Sequence, residues 1–398
     1  MRCDISHLSR RGLLAAMVAT AGCSGRSTET GETTTPAATT ATTSTNLSTE
    51  SPPRQSATES TPTLEPVDVR EWPEEFYQGP LVSTHEHMSG PDGFWMTSEK
   101  LDWFVSWMQR NRVVRAMAIT NEQIAPVIEP HDDRLVPFLS PYIQLRDEFE
   151  RLSAALEDLL DRHDFYEGLG EFGLYRAPGP DRTPPIPANH PRLLEVYDLA
   201  ADRDIPVMVH GGRPTQYEDP TGLVTDMEAA FEHNRDCTFL VHSTFYGVTI
   251  DGESNLPIGE AVDTLLNEHS NLYFDISGAN TSPYSYRYNE GPDDDYDTVN
   301  RTEKKSQEWF ESKLQADGGV DYHASRLYDL YGSILENHPD RVTWGMDASW
   351  QWHFNDWAMD TWIDVARALL GKLPQDKADQ VGYKTAADLF GISIDQDS

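Results

Sequence analysis

Residues 79–90 read GPLVSTHEHMSG, an apolar run that stops at two histidines one residue apart, His85 and His87. In extended backbone successive side chains point to opposite faces, so His85 and His87 share a face and Glu86 takes the other. Two imidazoles side by side at a strand end suit a grip on one metal ion. They suit two ordinary surface histidines as well, and the rest of the chain has to decide.

Seven further apolar runs follow, at 113–120, 135–143, 166–174, 206–211, 238–243, 272–277 and 342–347. They are apolar throughout rather than alternating, as strands of a parallel sheet buried on both faces are. Between them lie residues at helical spacing, such as Leu101, Phe104, Val105 and Met108, or Leu193, Leu194, Tyr197 and Ala201. Only the connection after the second run is poorly helical. His163, His233, His269 and His338 each close a helical pattern shortly before the next strand. A helix C-terminus favours a cation or a donor to its free carbonyls, so these four belong away from chemistry, at the bottom of the fold. Eight strand–helix units of about 30 to 40 residues make a (β/α)8 TIM barrel, for which roughly 250 residues is typical. A doubly wound open sheet would want a Gly-rich phosphate turn after the first strand, and none is there. Residues 279–320 are too long for a simple loop and carry Tyr284, Tyr286 and Trp309, which reads as a lid or insertion after the seventh strand.

Sites in such barrels are built at the C-terminal ends of the strands. Those ends offer His85 and His87, then Glu171 in EGLGEFGL, His210 in IPVMVHGG, His242 in CTFLVHST and Asp347 in VTWGMDAS. A lone histidine on an apolar strand is usually a satisfied core residue, but six metal-binding side chains at six such positions make coincidence a poor account. Imidazole and carboxylate suit zinc, manganese or iron, and the lack of thiolates argues against a closed structural site.

With these residues the chain resembles the amidohydrolase superfamily, closest to the group called amidohydrolase-related, which includes hydrolases, lactonases and decarboxylases. The resemblance runs over about 81–391 and is carried by the His-x-His pair, GLGEFGL, VMVHGG, FLVHST, NLYFDISG and GMDAS. It implies that His85, His87 and Asp347 hold a deeper metal, joined by His210. It implies that His242 either holds a second metal or acts on substrate, and Glu171 stands where a TatD-like branch has a bridging carboxylate. Ser83 departs from the Asp that relatives often carry there. Many binuclear members bridge their ions with a carboxylated lysine on the fourth strand, and this chain has no lysine between Lys100 and Lys304. One or two ions per chain, most simply zinc, are both open, with one ion favoured.

The chemistry this implies is hydrolysis of an ester, lactone or amide bond in a small molecule, with Asp347 and His242 as the proton-handling residues. Decarboxylation of a carboxylated ring on the same scaffold is the alternative, and a non-catalytic binding lipoprotein is a third reading. By position, Arg213 could hold a substrate carboxylate, Trp350, Trp352, His353 and Tyr246 could wall the pocket, and Asp275 could support ligands or touch substrate.

The 398 residues carry 66 acidic against 31 basic side chains, a formal net charge of -35. Such a balance excludes nucleic acid and anionic membrane surfaces as partners, leaves self-association open, and suits a halophilic source. Ser9-Arg10-Arg11-Gly12-Leu13-Leu14 resembles a twin-arginine export signal, and Thr20-Ala21-Gly22-Cys23 a lipobox. The apolar run between them is about half of the roughly 20 residues a membrane span needs. The expected organisation is a signal over 1–23, a disordered Ser/Thr-rich tether over 24–65, and the barrel over 66–398, exported and anchored to the outer membrane face only through a lipid on Cys23. A plain secretory signal with an incidental cysteine is the other possibility. Apart from Cys3 and Cys23 the chain has one cysteine, Cys237, so the barrel has no internal disulfide.

Overall fold

Each of the eight apolar runs contributes a strand, and the eight pair in chain order as one parallel sheet. In this computed structural model the described residues are 68–89, 95–173, 186–210, 220–242, 249–250, 253–254, 258–277, 312, 315, 318–349, 351 and 353–394. The strands are β1 Leu81–His87, β2 Val113–Thr120, β3 Leu135–Leu139, β4 Gly168–Gly173, β5 Val207–His210, β6 Phe239–His242, β7 Leu272–Asp275 and β8 Val342–Thr343. A parallel bridge between Glu86 and Ala348 joins the first strand to the backbone just past the last, so the sheet curls into a nearly closed (β/α)8 barrel. A short antiparallel pair, Thr249–Ile250 with Glu253–Ser254, stands outside it.

Helices cover the outer face for the reason their spacing suggests. In α1, Ser98–Arg110, the Thr97 side chain caps the Lys100 N–H, and Leu101, Phe104, Trp107 and Met108 are buried along one stripe. The connection after β2 holds only one α-helical turn, α2 Ala125–Ile128, as its weak pattern indicates. Then come α3 Tyr142–Asp147, α4 Leu152–Arg162, α5 Pro191–Asp202, α6 Pro220–His233, α7 Ile258–Glu268, α8 Gly319–Asn337 and α9 Asp356–Leu370. None of the helices in the described residues is long and apolar enough to cross a membrane.

The first two strands keep their expected bounds, the fourth to seventh are trimmed at their ends, and the third and eighth fall furthest short. The third stops at Leu139, and Tyr142 and Ile143 instead open α3, because Pro141 has no N–H to continue the ladder. The eighth is a ladder only over Val342–Thr343, and residues to Asp347 run on as irregular backbone. The residues expected to form a signal and a tether, and nearly all of 279–320, lie outside the described residues.

Inside the barrel, Val82, Met117, Ile119, Val136, Phe138, Met208 and Leu240 form a core that Tyr383, Ala386 and Phe390 plug from the C-terminal helices. Phe390 meets the Phe138 ring edge-on at 5.6 Å. On the outside, the fully buried Arg367 of α9 donates to the carbonyls of Tyr77 (2.7 Å), Gly79 (2.9 Å) and Asn111 (2.7 Å). Its guanidinium stacks 3.8 Å from the centre of Trp72. This one side chain ties the segment entering β1 to the end of α1.

Candidate metal centre

The register of the sheet sets the level of the donors. Gly173 of β4 pairs with His210, His210 with His242, His242 with Asp275, and Asp275 with Thr343, one row across five strands. β1 joins this row through a shift in its pairing with β2 between Ser83 and Glu86. Such irregularities re-aim side chains, and here His85 and His87 both face the centre. Glu86 turns into the seam instead, fully buried, taking the Ser83 hydroxyl at 2.5 Å and the Ala348 N–H at 3.3 Å. Burial pushes its carboxyl well above the ordinary range.

Asp347 sits at φ +54°, a left-handed conformation uncommon for a residue with a side chain. It is held there from β1: its N–H donates to the His85 carbonyl at 2.8 Å, and the His87 N–H donates to the Ala348 carbonyl at 2.9 Å. At Gly345 a Cβ would lie 2.8 Å from the His85 nitrogen and 3.0 Å from Ser277 Cβ, so only glycine lets the two backbones approach this closely.

The donors converge. His85 Nε2 and His87 Nε2 are 3.1 Å apart, and Asp347 Oδ1 lies 3.5 Å from the first and 3.3 Å from the second. Two ligands bound at about 2.0–2.2 Å to one ion have separations of this size. Beside this trio stands a second group, Glu171, His210 and His242, whose ligand atoms also lie within 4.8 Å of one another. Glu171 spans the two groups, with Oε1 2.5 Å from His210 Nδ1 and Oε2 3.6 Å from His87 Nε2. His242 Nε2 is 3.5 Å from Asp347 Oδ2.

A buried layer behind them fixes which nitrogens face inward. Ser277 Oγ donates to Asp275 Oδ2 in a short hydrogen bond and lies 3.1 Å from His85 Nδ1 and 3.0 Å from His242 Nδ1. Asp275 Oδ2 is itself 3.2 Å from His85 Nδ1 and 3.4 Å from His242 Nδ1. With only acceptors there, both imidazoles carry a proton on Nδ1, and His85, held neutral by burial, turns its Nε2 lone pair to the centre. Asp275 Oδ1 takes the Ser277 N–H at 3.0 Å and the Thr84 hydroxyl at 3.2 Å. Asp275 is wholly buried, its carboxylate taken up by His85, His242, Ser277 and Thr84.

The cluster attracts positive charge. Burial alone would raise Glu171, but the His210 ring, with those of His85 and His87, holds its carboxyl well below the usual range. Asp347 is held low against burial by His85, His242 and His87. Asp275 is held at about 2 against burial by His242 and His85. Burial disfavours a His242 cation, yet its hydrogen bonds to Asp275 and Asp347 raise it to about 10. No lysine or arginine among the described residues pairs with these three carboxylates. Oxygen and imidazole donors, excess negative charge and pre-set tautomers fit a divalent ion.

All six strand-end residues read from the sequence are thus together. The spacing did not reveal Thr84 and Ser277, because their role depends on register across β1, β7 and β8; the only trace was their place at the ends of apolar runs. Arg213, Tyr246, Trp350 and Trp352 lie outside the described residues. His353 does not wall an open pocket as expected: it is buried, takes the Ser349 N–H on Nδ1 at 3.0 Å, and abuts Trp362.

No family model and no curated protein matches the chain. Among solved structures it is similar to 2,6-dihydroxybenzoate decarboxylase from Rhizobium, 13% identical over 79% of this chain and 99% of that one, TM-score 0.48. It is similar to an amidohydrolase from Burkholderia multivorans with bound zinc, 12% identical over 79% and 100%, TM-score 0.46. A third is 5-carboxyvanillate decarboxylase from Novosphingobium aromaticivorans complexed with manganese, 11% identical over 83% and 100%, TM-score 0.40. At such identities the chemistry of this centre has to follow from its own donors.

Proposed function

We propose that this protein is a divalent-metal-dependent hydrolase that cleaves an ester, lactone or amide bond of a small molecule. The observation that supports this is the trio His85, His87 and Asp347, with both Nε2 atoms turned inward at the C-terminal ends of the strands. The centre has an open side: the side chains of His87, His210 and Asp347 are 18%, 26% and 21% exposed, whereas His85 and His242 are at 0%. Substrate enters past the first three, and a centre with an open face suits catalysis rather than a closed structural role.

A single ion, zinc before manganese or iron, would be held by His85, His87 and Asp347 with His210 at its edge. When bound it supplies Lewis acidity to the substrate oxygen and makes a water molecule acidic. The protein's part is proton handling and orientation. Asp347 takes the proton of the attacking water and returns it to the leaving group. His242, behind it, steadies that carboxylate from 3.5 Å and spreads the charge toward Asp275. Glu171 locks the His210 ring.

The test is metal content of the purified protein together with a panel of ester, lactone and aromatic-acid substrates. One equivalent of metal at the strand-end donors and hydrolysis that disappears in Asp347→Asn are expected. Glu171→Gln should spare the metal, and His242→Ala should cost about 10²–10⁴-fold in rate with the ion still bound. Two equivalents at those donors, falling to one in both variants, would show that Glu171, His210 and His242 hold a second ion. Carbon dioxide release from an aromatic acid without any hydrolysis would replace this reading by decarboxylation.

We also propose export through the twin-arginine signal and retention through a lipid on Cys23. Arg10→Lys with Arg11→Lys should block export, and Cys23→Ser should release the protein; a Cys23→Ser protein that stays on the membrane refutes the anchor.

A further inference from the structure

At the opposite end of β7 from Asp275 lies a second set of donors. Glu228 of α6, Glu268 at the last position of α7, and His269 each offer a ligand atom, and these atoms lie within 4.8 Å of one another. His269 is the exception among the four histidines that close helical patterns. His163, His233 and His338 each pair with a carboxylate, Glu122, Asp198 and Asp263 respectively. His269 is only 2% exposed, and both of its ring nitrogens are buried without a hydrogen-bond partner. Native proteins seldom leave a buried polar group so.

The surroundings add a second reason for a cation. Glu268 ends α7, where free carbonyls already gather negative charge, and a carboxylate there is unfavourable unless a cation joins it. The nearby Arg341 donates its guanidinium to the carbonyls of Leu266 and His269. Burial disfavours a proton on the His269 ring, as do Arg235 and Arg341, while Glu232 and Glu268 oppose that effect, so the ring is held neutral with a lone pair to offer. The same corner is already laced by Asn271, whose amide donates to the carbonyls of Phe231 and Cys237 at 3.2 and 3.0 Å.

We propose that Glu228, Glu268 and His269 form a separate divalent-cation site, suited to zinc, that pins α6 to the end of α7 beneath the barrel. One imidazole and two carboxylates are borderline donors of the kind zinc takes. The site is structural: it holds the segments that lead into β6 and β7, and through them the row that bears His242 and Asp275.

The test is anomalous diffraction at the zinc edge on crystals of the protein given two equivalents of zinc, for wild type and for Glu228→Gln/Glu268→Gln. Both carboxylates lie on helix surfaces, so the double variant should fold. The expected result is density beside a His269 ring nitrogen in the wild type and none there in the double variant. The thermal midpoint should rise on the second equivalent in the wild type alone. No density beside His269 at two equivalents, or density that persists in the double variant, overturns the proposal. Density at the strand-end centre is read separately in the same map, so failure there reports on the hydrolase reading and leaves this site standing.

Discussion

Replacing Asp275 by asparagine changes one atom and tests the whole logic of the centre. Asp275 Oδ1 accepts the Ser277 N–H at 3.0 Å and the Thr84 hydroxyl at 3.2 Å, so the amide keeps its oxygen on that side. The new NH2 then faces His85 Nδ1, where a carboxylate oxygen had accepted at 3.2 Å. A donor there drives the His85 proton to Nε2, which lies 3.1 Å from His87 Nε2, in the position a metal ion needs free. Loss of such a supporting partner typically costs 10–100-fold in metal affinity, about 1.4–2.7 kcal/mol. Removing one of three buried negative charges acts in the same direction. Ser277→Ala keeps the charge and removes only the shared hydroxyl, so its effect should be smaller. Zinc affinity is read by competition with a chromophoric chelator, beside the urea midpoint. An Asp275→Asn protein that binds zinc as the wild type does would refute the tautomer argument.

Three other outcomes are expected. Arg367→Met strands three carbonyls and unstacks Trp72, which should cost about 3–5 kcal/mol in urea unfolding; a loss under about 1 kcal/mol would show that the strap is dispensable. Burial, helped by Asp198, pushes the Cys237 thiol up to about 12, so at pH 8 it stays protonated. In a chain with Cys3 and Cys23 replaced by serine, a thiol reagent should therefore find nothing until denaturant is added, and rapid labelling of the native protein would contradict that burial. Gly345→Ala forces a Cβ against the His85 backbone and should displace the ligand pair, lowering turnover roughly 10²-fold with less effect on the unfolding midpoint.

The barrel was legible because each strand is apolar on both faces and each interval but one repeats at helical spacing. The donors were legible for a related reason: an apolar run that stops at His210 or His242 has nothing else to end on. What escaped depends on neighbours distant in sequence. That Asp275 reaches two histidines depends on its pairing with His242 and Thr343. Alternation turned Glu86 away from the two histidines, but its partners there, the Ser83 hydroxyl and the Ala348 N–H, follow from the closing of the barrel, which no alternation rule contains. The early stop of β3 was visible in Pro141, but the apolar Tyr142 and Ile143 beyond it outweighed that signal. For His269, the general preference of helix ends for cations said nothing of a ring left without partners.

The seam between β1 and the residues past β8 also gives the centre a place in the order of folding. Glu86 and Ala348 are 262 residues apart in the chain, and so are His85 and Asp347. Seven strands can stack one after another as they are made, yet the trio exists only when the last turn of the barrel meets the first. The entropic cost of that closure grows slowly with loop length, so most of it is met by the first long contact and little is added by the length itself. An ion gripped by both ends would act as a latch, favouring the closed barrel over every chain that is short of its final segment. Loading would then record that synthesis and closure are complete, and a molecule nicked anywhere that frees Asp347 would release its ion before it lost its shape.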